Sequence, residues 1–254
     1  MSAPPSILDY RQPVLFHMGE VLIRSWNVLS RHFLTFAVMV GIAQLIPLLV
    51  TLYWGSPSHA GRVAPGETAA FTFGVVAPMQ FVLSSFTGAI VVFAAFQDLR
   101  GRPVSATESF RQGVSRLLPV LVASFLRMLL EVFGFMLCMI PGLVAMAALV
   151  VVMPACVVER LGPIQSMSRS ADLTSGHRWP IVGVSVAWLF LVLIVSLSIH
   201  AAIPGPTGLP ERLLTWAWDV VSGSYSAVFA AILYHDLRAV REGIGIDEIA
   251  SAFD

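Results

Sequence analysis

The chain has 254 residues, 57% of them hydrophobic and only 12% charged, and its formal net charge is zero. A mean hydropathy of +0.81 excludes an ordinary soluble domain, in which about a quarter of residues are charged and the surface must be wetted. The zero net charge removes the electrostatic case for nucleic acid, and the two cysteines, Cys138 and Cys156, form neither a disulfide framework nor a zinc spacing.

The opening residues, Met1 to Tyr10, lack a basic start followed by an apolar core, so no cleavable signal is expected there and the first span serves as its own membrane signal. Before that span, His17, Glu20, Arg24, Asn27 and Arg31 alternate at helical spacing with Leu15, Met18, Leu22, Trp26 and Leu29. This pattern predicts an amphipathic helix lying at the headgroup level. A straight continuation of the first span is the alternative.

A spanning helix needs about 20 mostly apolar residues. Six segments are expected, at about 33–54, 70–96, 117–140, 142–158, 181–202 and 213–234. The third and fourth are separated by Pro141-Gly142, a turn-forming pair. A second amphipathic stretch opens on the capping box Ser105-Ala106-Thr107-Glu108, with Phe110, Val114 and Leu117 sharing a face. A third runs from Gly162-Pro163 to about Gly176, and a fourth is the tail carrying Ile246, Ile249 and Phe253. The fold class is therefore all-α: a single polytopic transmembrane helical bundle with interfacial helices and no soluble domain.

All fifteen basic residues are arginine, which suggests a bacterial coding bias. With both termini in the cytoplasm, Arg11, Arg24, Arg31, Arg100, Arg102, Arg111, Arg116, Arg160, Arg169, Arg178, Arg238 and Arg241 are inside, and only Arg62 and Arg212 are outside. This asymmetry follows the positive-inside rule, favours an even number of spans and places the protein in the inner membrane.

The chain also repeats itself. Three times an arginine leads into a span: Arg31-His32-Phe33, Arg116-Leu117-Leu118 and Arg178-Trp179-Pro180. Three times a span leaves through an acid closely followed by arginine: Asp98 with Arg100, Glu159 with Arg160, and Asp236 with Arg238, each followed by glycine (Gly101, Gly162, Gly243). Three hairpins are implied. The acids are expected at the water boundary, either joining the hairpins or forming a ring of charge for lipid headgroups or a protein partner.

Within the spans, Arg127 and Glu131 share a face of the third, and Thr215, Asp219, Ser222 and Ser226 stripe the sixth. Gln80, Ser84 and Thr87 echo that stripe in the second. Two central charges cost about 6 kcal/mol on an insertion scale. The apolar residues of the third span return roughly the same, so Arg127 is expected to need Glu131 or Asp219 as a partner. These groups either line a polar cavity or act as glue between helices. Gly41, Gly74, Gly88, Gly134, Gly183 and Gly223 read as close-packing positions. The histidines form no metal or nucleophile spacing, and neither a catalytic site nor a cofactor is expected.

Several short pieces carry a resemblance: Pro154-Ala155-Cys156-Val157-Val158-Glu159-Arg160-Leu161-Gly162, Ser168-Arg169-Ser170, Gly176-His177-Arg178-Trp179, and the closing Tyr234-His235-Asp236-Leu237-Arg238 with Arg241-Glu242-Gly243. Together they resemble the membrane domain associated with bacterial glycerophosphoryl diester phosphodiesterases and related six-span proteins. In that family the chemistry belongs to a separate soluble barrel, for which this chain has no room. The resemblance implies a stand-alone membrane module, lipid-associated or partner-anchoring. A small transporter with a polar intramembrane site is the alternative, though no span reads as broken at its midpoint.

Overall fold

The computed structural model describes residues 18–54, 65–101, 105–202 and 209–242. Arg11, Leu15, His17, His59, Arg62, Arg102, Gly243 and the tail positions Ile246, Ile249 and Phe253 lie outside the described residues. Every regular element described is helical. In chain order these are α1 (Met18–Arg31), α2 (Phe33–Trp54), α3 (Pro65–Phe71), a π-helical turn (Thr72–Val76), α4 (Ala77–Leu99), α5 (Ala106–Ser115), α6 (Leu117–Leu137), α7 (Met139–Ala148), α8 (Val152–Val158), α9 (Pro163–Leu173), α10 (Arg178–Ala202) and α11 (Leu209–Glu242).

Five stretches are long and apolar enough to cross a bilayer: Phe33–Trp54, Thr72–Leu99, Leu117–Leu137, Met139–Val158 and Arg178–Ala202. α11 is longer than any of them, at 34 residues, but its polar stripe makes it less apolar. It compensates by burial: Val220, Val228, Ile232, Leu233 and Tyr234 are all core residues, and α1, α2 and α4 pack around it. The outer surface is the reverse of a soluble protein's. Leu34, Phe133, Met136, Leu137, Ile194 and Leu197 are exposed, a surface stable against hydrocarbon and not against water. The chain is an all-α, multi-span membrane bundle.

The hairpins are unequal. α2 packs on α4, and α6 packs closely on α7, but α10 touches α11 less than α2 or α4 does. Only Ile181 and Val182 of α10 are buried; Val184, Val186 and Trp188 pack against the core, and the helix beyond Trp188 is mostly exposed.

Three helices are irregular for covalent reasons. Pro47 sits inside α2 and has no N–H for the Ala43 carbonyl. Pro78 likewise cannot serve Gly74, and the chain widens there into the π turn, in which the Ala77 N–H reaches back to the Thr72 carbonyl. The fourth span is interrupted between Ala148 and Val152, which corrects the expectation that no span is broken.

The expected turn at Pro141-Gly142, with spans ending at 140 and resuming at 142, is also displaced. The chain turns at Cys138, whose backbone is extended, and Pro141 lies in the first turn of α7, where a missing N–H is harmless. Gly142 and Gly134 are instead where α6 and α7 cross: a Cβ on Gly134 would lie 3.0 Å from the Gly142 Cα. Gly41 and Gly88 are similarly close to Trp216 and Met153, whereas Gly74, Gly183 and Gly223 face open space and are not packing positions.

The interfacial helices meet the bundle through small polar residues together with a few apolar ones, Val21, Leu29 and Leu173. Ser105 caps α5 by accepting from the Glu108 N–H, yet Ser109 is buried while Phe110 and Val114 are exposed. In α9, Ser166, Ser170 and Thr174 are buried and Ile164 is exposed. In α1, Val21, Ser25 and Leu29 are buried, while Ile23 and Trp26 face outward. Small residues at the contacts are the packing logic of helices in lipid.

Candidate functional site

The arginine-rich end is tied together by the acids that close the spans. Asp98 bonds the His32 ring at 2.8 Å. Asp236 receives a forked pair from Arg24 at 2.8 and 2.9 Å, and the neighbouring His235 ring at 3.2 Å. Glu159 receives Arg169 at 2.9 and 3.1 Å and the Tyr234 hydroxyl. Each acid thus takes a base from outside its own exit motif, Arg24 of α1, His32 just after it or Arg169 of α9, and Asp236 takes His235 from within its motif as well. Arg169 also bonds Glu242, which Arg238 reaches at 2.6 Å. For Glu242, burial opposes ionisation, but Arg238 and Arg169 outweigh it and hold the carboxyl below the ordinary glutamate range. The Glu242 bond also raises Arg238.

Two equivalent positions of the repeat meet directly: Phe96 and Tyr234 pack edge to face at 5.6 Å. Arg31, Arg100, Arg111 and Arg160 project outward, and their guanidinium groups have no bonding partner among the described residues. Arg160 adopts a left-handed backbone, φ 56°, and its carbonyl accepts from Arg116 at 3.3 Å.

A second site lies at the depth of the spans. A cavity of about 640 Å³ is lined by Gln80, Ser84, Arg127, Asp219, Ser222 and Ser226. Six of the nine intramembrane polar residues singled out from sequence therefore face one space; Thr215 lines a different cavity, and Thr87 is buried, bonding the carbonyls of its own helix. Glu131 stands behind the shared space, bonded to Arg127 Nε at 2.7 Å. Arg127 pairs with this neighbour, one helical turn away, and not with Asp219. The Asp219 carboxylate has no bonding partner among the described residues. Ser222 donates to the Asp219 carbonyl at 3.4 Å, and Ser226 donates to the Ser222 carbonyl at 2.8 Å. Ser226 in turn accepts from the Trp188 indole at 3.0 Å.

Most of the remaining wall is apolar, with Met146, Val150, Val184, Leu191 and Phe229 among its members. Leu189 and Leu191 line the margin and are largely exposed, so the cavity communicates with the outer surface beside α10. A second cavity of about 640 Å³ runs toward the opposite end, where His200, Glu211 and Arg212 line it. His200 bonds Glu211 at 2.6 Å. The two cavities share Gln44, Gln80 and Asp219.

The helix irregularities border these spaces. Pro47, Thr72 and Val76 line the second cavity, and Val150, at the break in the fourth span, lines the first. At that break the Ala148 carbonyl is freed from its helix and accepts from Ser170 Oγ at 2.7 Å. The buried serine face of α9 thus satisfies backbone that lipid could not.

Gln44, Trp188 and Tyr225 were missed from sequence. Gln44 is the one amide side chain in an otherwise apolar span, and polar residues at that depth are informative. The two aromatics carry no such signal, being common in spans. No group of three or more metal-binding side chains occurs among the described residues. No family model, curated protein or solved structure matches the chain.

Proposed function

We propose that this chain is a non-catalytic integral membrane module that holds a membrane lipid in the cavity between α10 and α11. One observation carries the reading. The polar side chains of four separate spans converge on a cavity whose walls are otherwise apolar and whose margin opens beside a loosely packed helix. A solute entering from water would meet polar walls throughout. An amphipathic molecule matches a mixed lining, with its headgroup on the polar set and its chains leaving along α10.

The same proposal seats the protein in the bacterial inner membrane with both termini cytoplasmic, as the arginine asymmetry suggests. The unpartnered Arg31, Arg100, Arg111 and Arg160 would then contact anionic headgroups on that leaflet, each contributing about 1 kcal/mol. A protein partner at this face is compatible with the same charge. Kinship with the phosphodiesterase-associated membrane domain rests on the short exit motifs alone.

A second reading, a small transporter, is favoured by the meeting of two cavities beside an interrupted span. One comparison separates the two. A Cβ on Gly223 meets nothing within 4 Å, and Gly223 lines the first cavity, so Gly223→Phe directs its side chain into that space from an unobstructed Cβ. Native mass spectrometry of the detergent-purified protein should show lipid retained by the parent chain and reduced severalfold in Gly223→Phe, with an unchanged melting temperature. Lipid-free protein that instead gives a solute flux in liposomes, lost in Asp219→Asn, overturns the first reading in favour of the second.

A further inference from the structure

The polar lining of the cavity is not neutral wallpaper: it carries two opposite charges that do not neutralise each other. Arg127 and Asp219 line the same space, yet Arg127 is bonded to Glu131 and Asp219 is bonded to no side chain among the described residues. Only Arg127 Nε is engaged, so its terminal nitrogens retain their donors. Around Asp219 stand two amides, Gln44 and Gln80, which like Asp219 belong to both cavities. Gln44 is only 6% exposed, and its amide has no bonding partner among the described residues. Neither the Gln44 amide nor the Asp219 carboxylate is among the fully enclosed unpartnered side-chain atoms, so the polar surface they keep is open to a ligand in the cavities.

We infer that the cavity is a binding site for a zwitterion whose cationic end is a primary ammonium and whose anionic end is a phosphate. This rests on the lipid reading above and names its headgroup. The ammonium sits at the junction of the cavities. Its three N–H donors match three acceptors: the Asp219 carboxylate and the amide oxygens of Gln44 and Gln80. The phosphate faces the free donors of Arg127, which is suited to phosphate oxygens by its planar fork.

The donor count sets the selectivity. A quaternary ammonium carries the same charge but no donor, so it leaves the two amide oxygens unmet and is disfavoured. An uncharged glycerol headgroup on a phosphate supplies no cation, and Asp219 then stands unpaired beside a second anion. Phosphatidylethanolamine fits these requirements, as does its soluble headgroup, phosphoethanolamine. Phosphatidylcholine and phosphatidylglycerol do not.

The test uses the full chain in detergent micelles doped with equal amounts of these three phospholipids, matched in acyl chains. Bound lipid is weighed by native mass spectrometry. The expected result is retention of phosphatidylethanolamine about tenfold above each of the others, the scale of one charge-assisted bond. Asp219→Asn should bring that ratio near parity, with the loss falling on phosphatidylethanolamine and retention of the other two lipids unreduced, because the apolar wall is untouched. If Asp219→Asn does not accumulate as folded protein, Gln44→Leu and Gln80→Leu are read instead, and each should lower the ratio severalfold.

Lipid retained without headgroup preference overturns this inference and leaves the lipid reading standing. Phosphoethanolamine binding to lipid-free protein, lost in Asp219→Asn, upholds the zwitterion chemistry and overturns the lipid source. Absence of both kinds of binding overturns both.

Discussion

Glu242 shows how the arginine-rich end responds to acid. Its carboxyl is partly buried, which works against ionisation, but the bonds from Arg238 and Arg169 prevail and depress its pKa. A carboxyl depressed in the folded state adds stability that is complete above its ordinary value and is lost as pH falls through the lower, folded value. The melting temperature in detergent should therefore hold between neutrality and about pH 5, then fall below about pH 4. Glu242→Gln should remove part of that acid-side fall and cost about 1 kcal/mol or less near neutrality, since the pair is partly solvated. An identical acid limb in both proteins would show that the bond carries no stability. At this scale the sequence was informative about which residues matter and not about whom they touch. The acids Asp98, Glu159 and Asp236 were visible as repeated exits, but their partners His32, Arg169 and Arg24 lie between 10 and 212 residues away along the chain. Spacing along one helix cannot report such pairs. Arg127 with Glu131 was legible because both lie on one helix, four residues apart.

Elements were read well where hydrophobicity alone decides, and poorly where packing does. Five of the six expected spans coincide with stretches long and apolar enough to cross a bilayer, while the sixth, at about 213–234, falls inside α11, whose polar stripe keeps it below that measure. The amphipathic pattern located the interfacial helices but did not say which residues meet the bundle. In α5 Phe110 and Val114 face outward, and in α9 Ile164 does, while Ser109, Ser166 and Ser170 face the bundle beside the buried Leu173. A hydrophobic pattern cannot say which face is inside when the surroundings are themselves apolar. The turn between α6 and α7 was misplaced for a related reason: a Pro-Gly pair punctuates chains in water, whereas here the glycine serves contact. That contact makes a clear prediction. A methyl group on Gly134 would lie 3.0 Å from the Gly142 Cα and 3.2 Å from the Pro141 carbonyl oxygen, so backbone and not a flexible side chain must move. Gly134→Ala should destabilise the protein by about 1–3 kcal/mol, read as a lower melting temperature in detergent. Gly183→Ala, which meets nothing, should be neutral or slightly stabilising through helix propensity. Equal effects at the two positions would remove close approach as the reason for Gly134.

Across the whole molecule, charge and shape are arranged along one axis. Hydrogen bonds join Arg24 to Asp236, Arg169 to Glu159 and Arg241 to Ser175, so these basic residues share one end of the bundle irrespective of any membrane. Arg212 lies at the other end, where it donates to the Thr51 carbonyl. Pairing consumes part of the positive charge, and among the described residues Arg31, Arg100, Arg111 and Arg160 remain exposed and unpaired. Crossing a bilayer with that end leading would drag several cations through hydrocarbon, at about 2.5–3.5 kcal/mol each on an insertion scale. In a background with Cys138 and Cys156 replaced by alanine, Arg100→Cys and Leu209→Cys mark the two ends at exposed positions. In spheroplasts of an expressing bacterium, a membrane-impermeant maleimide should label Leu209→Cys at once and Arg100→Cys only after lysis. Labelling of Arg100→Cys before lysis would invert the bundle and, with it, the leaflet on which the arginine end meets lipid. The cavity lies between these ends, and its open margin beside α10 faces neither, so lipid access along the membrane plane is independent of which orientation the labels report.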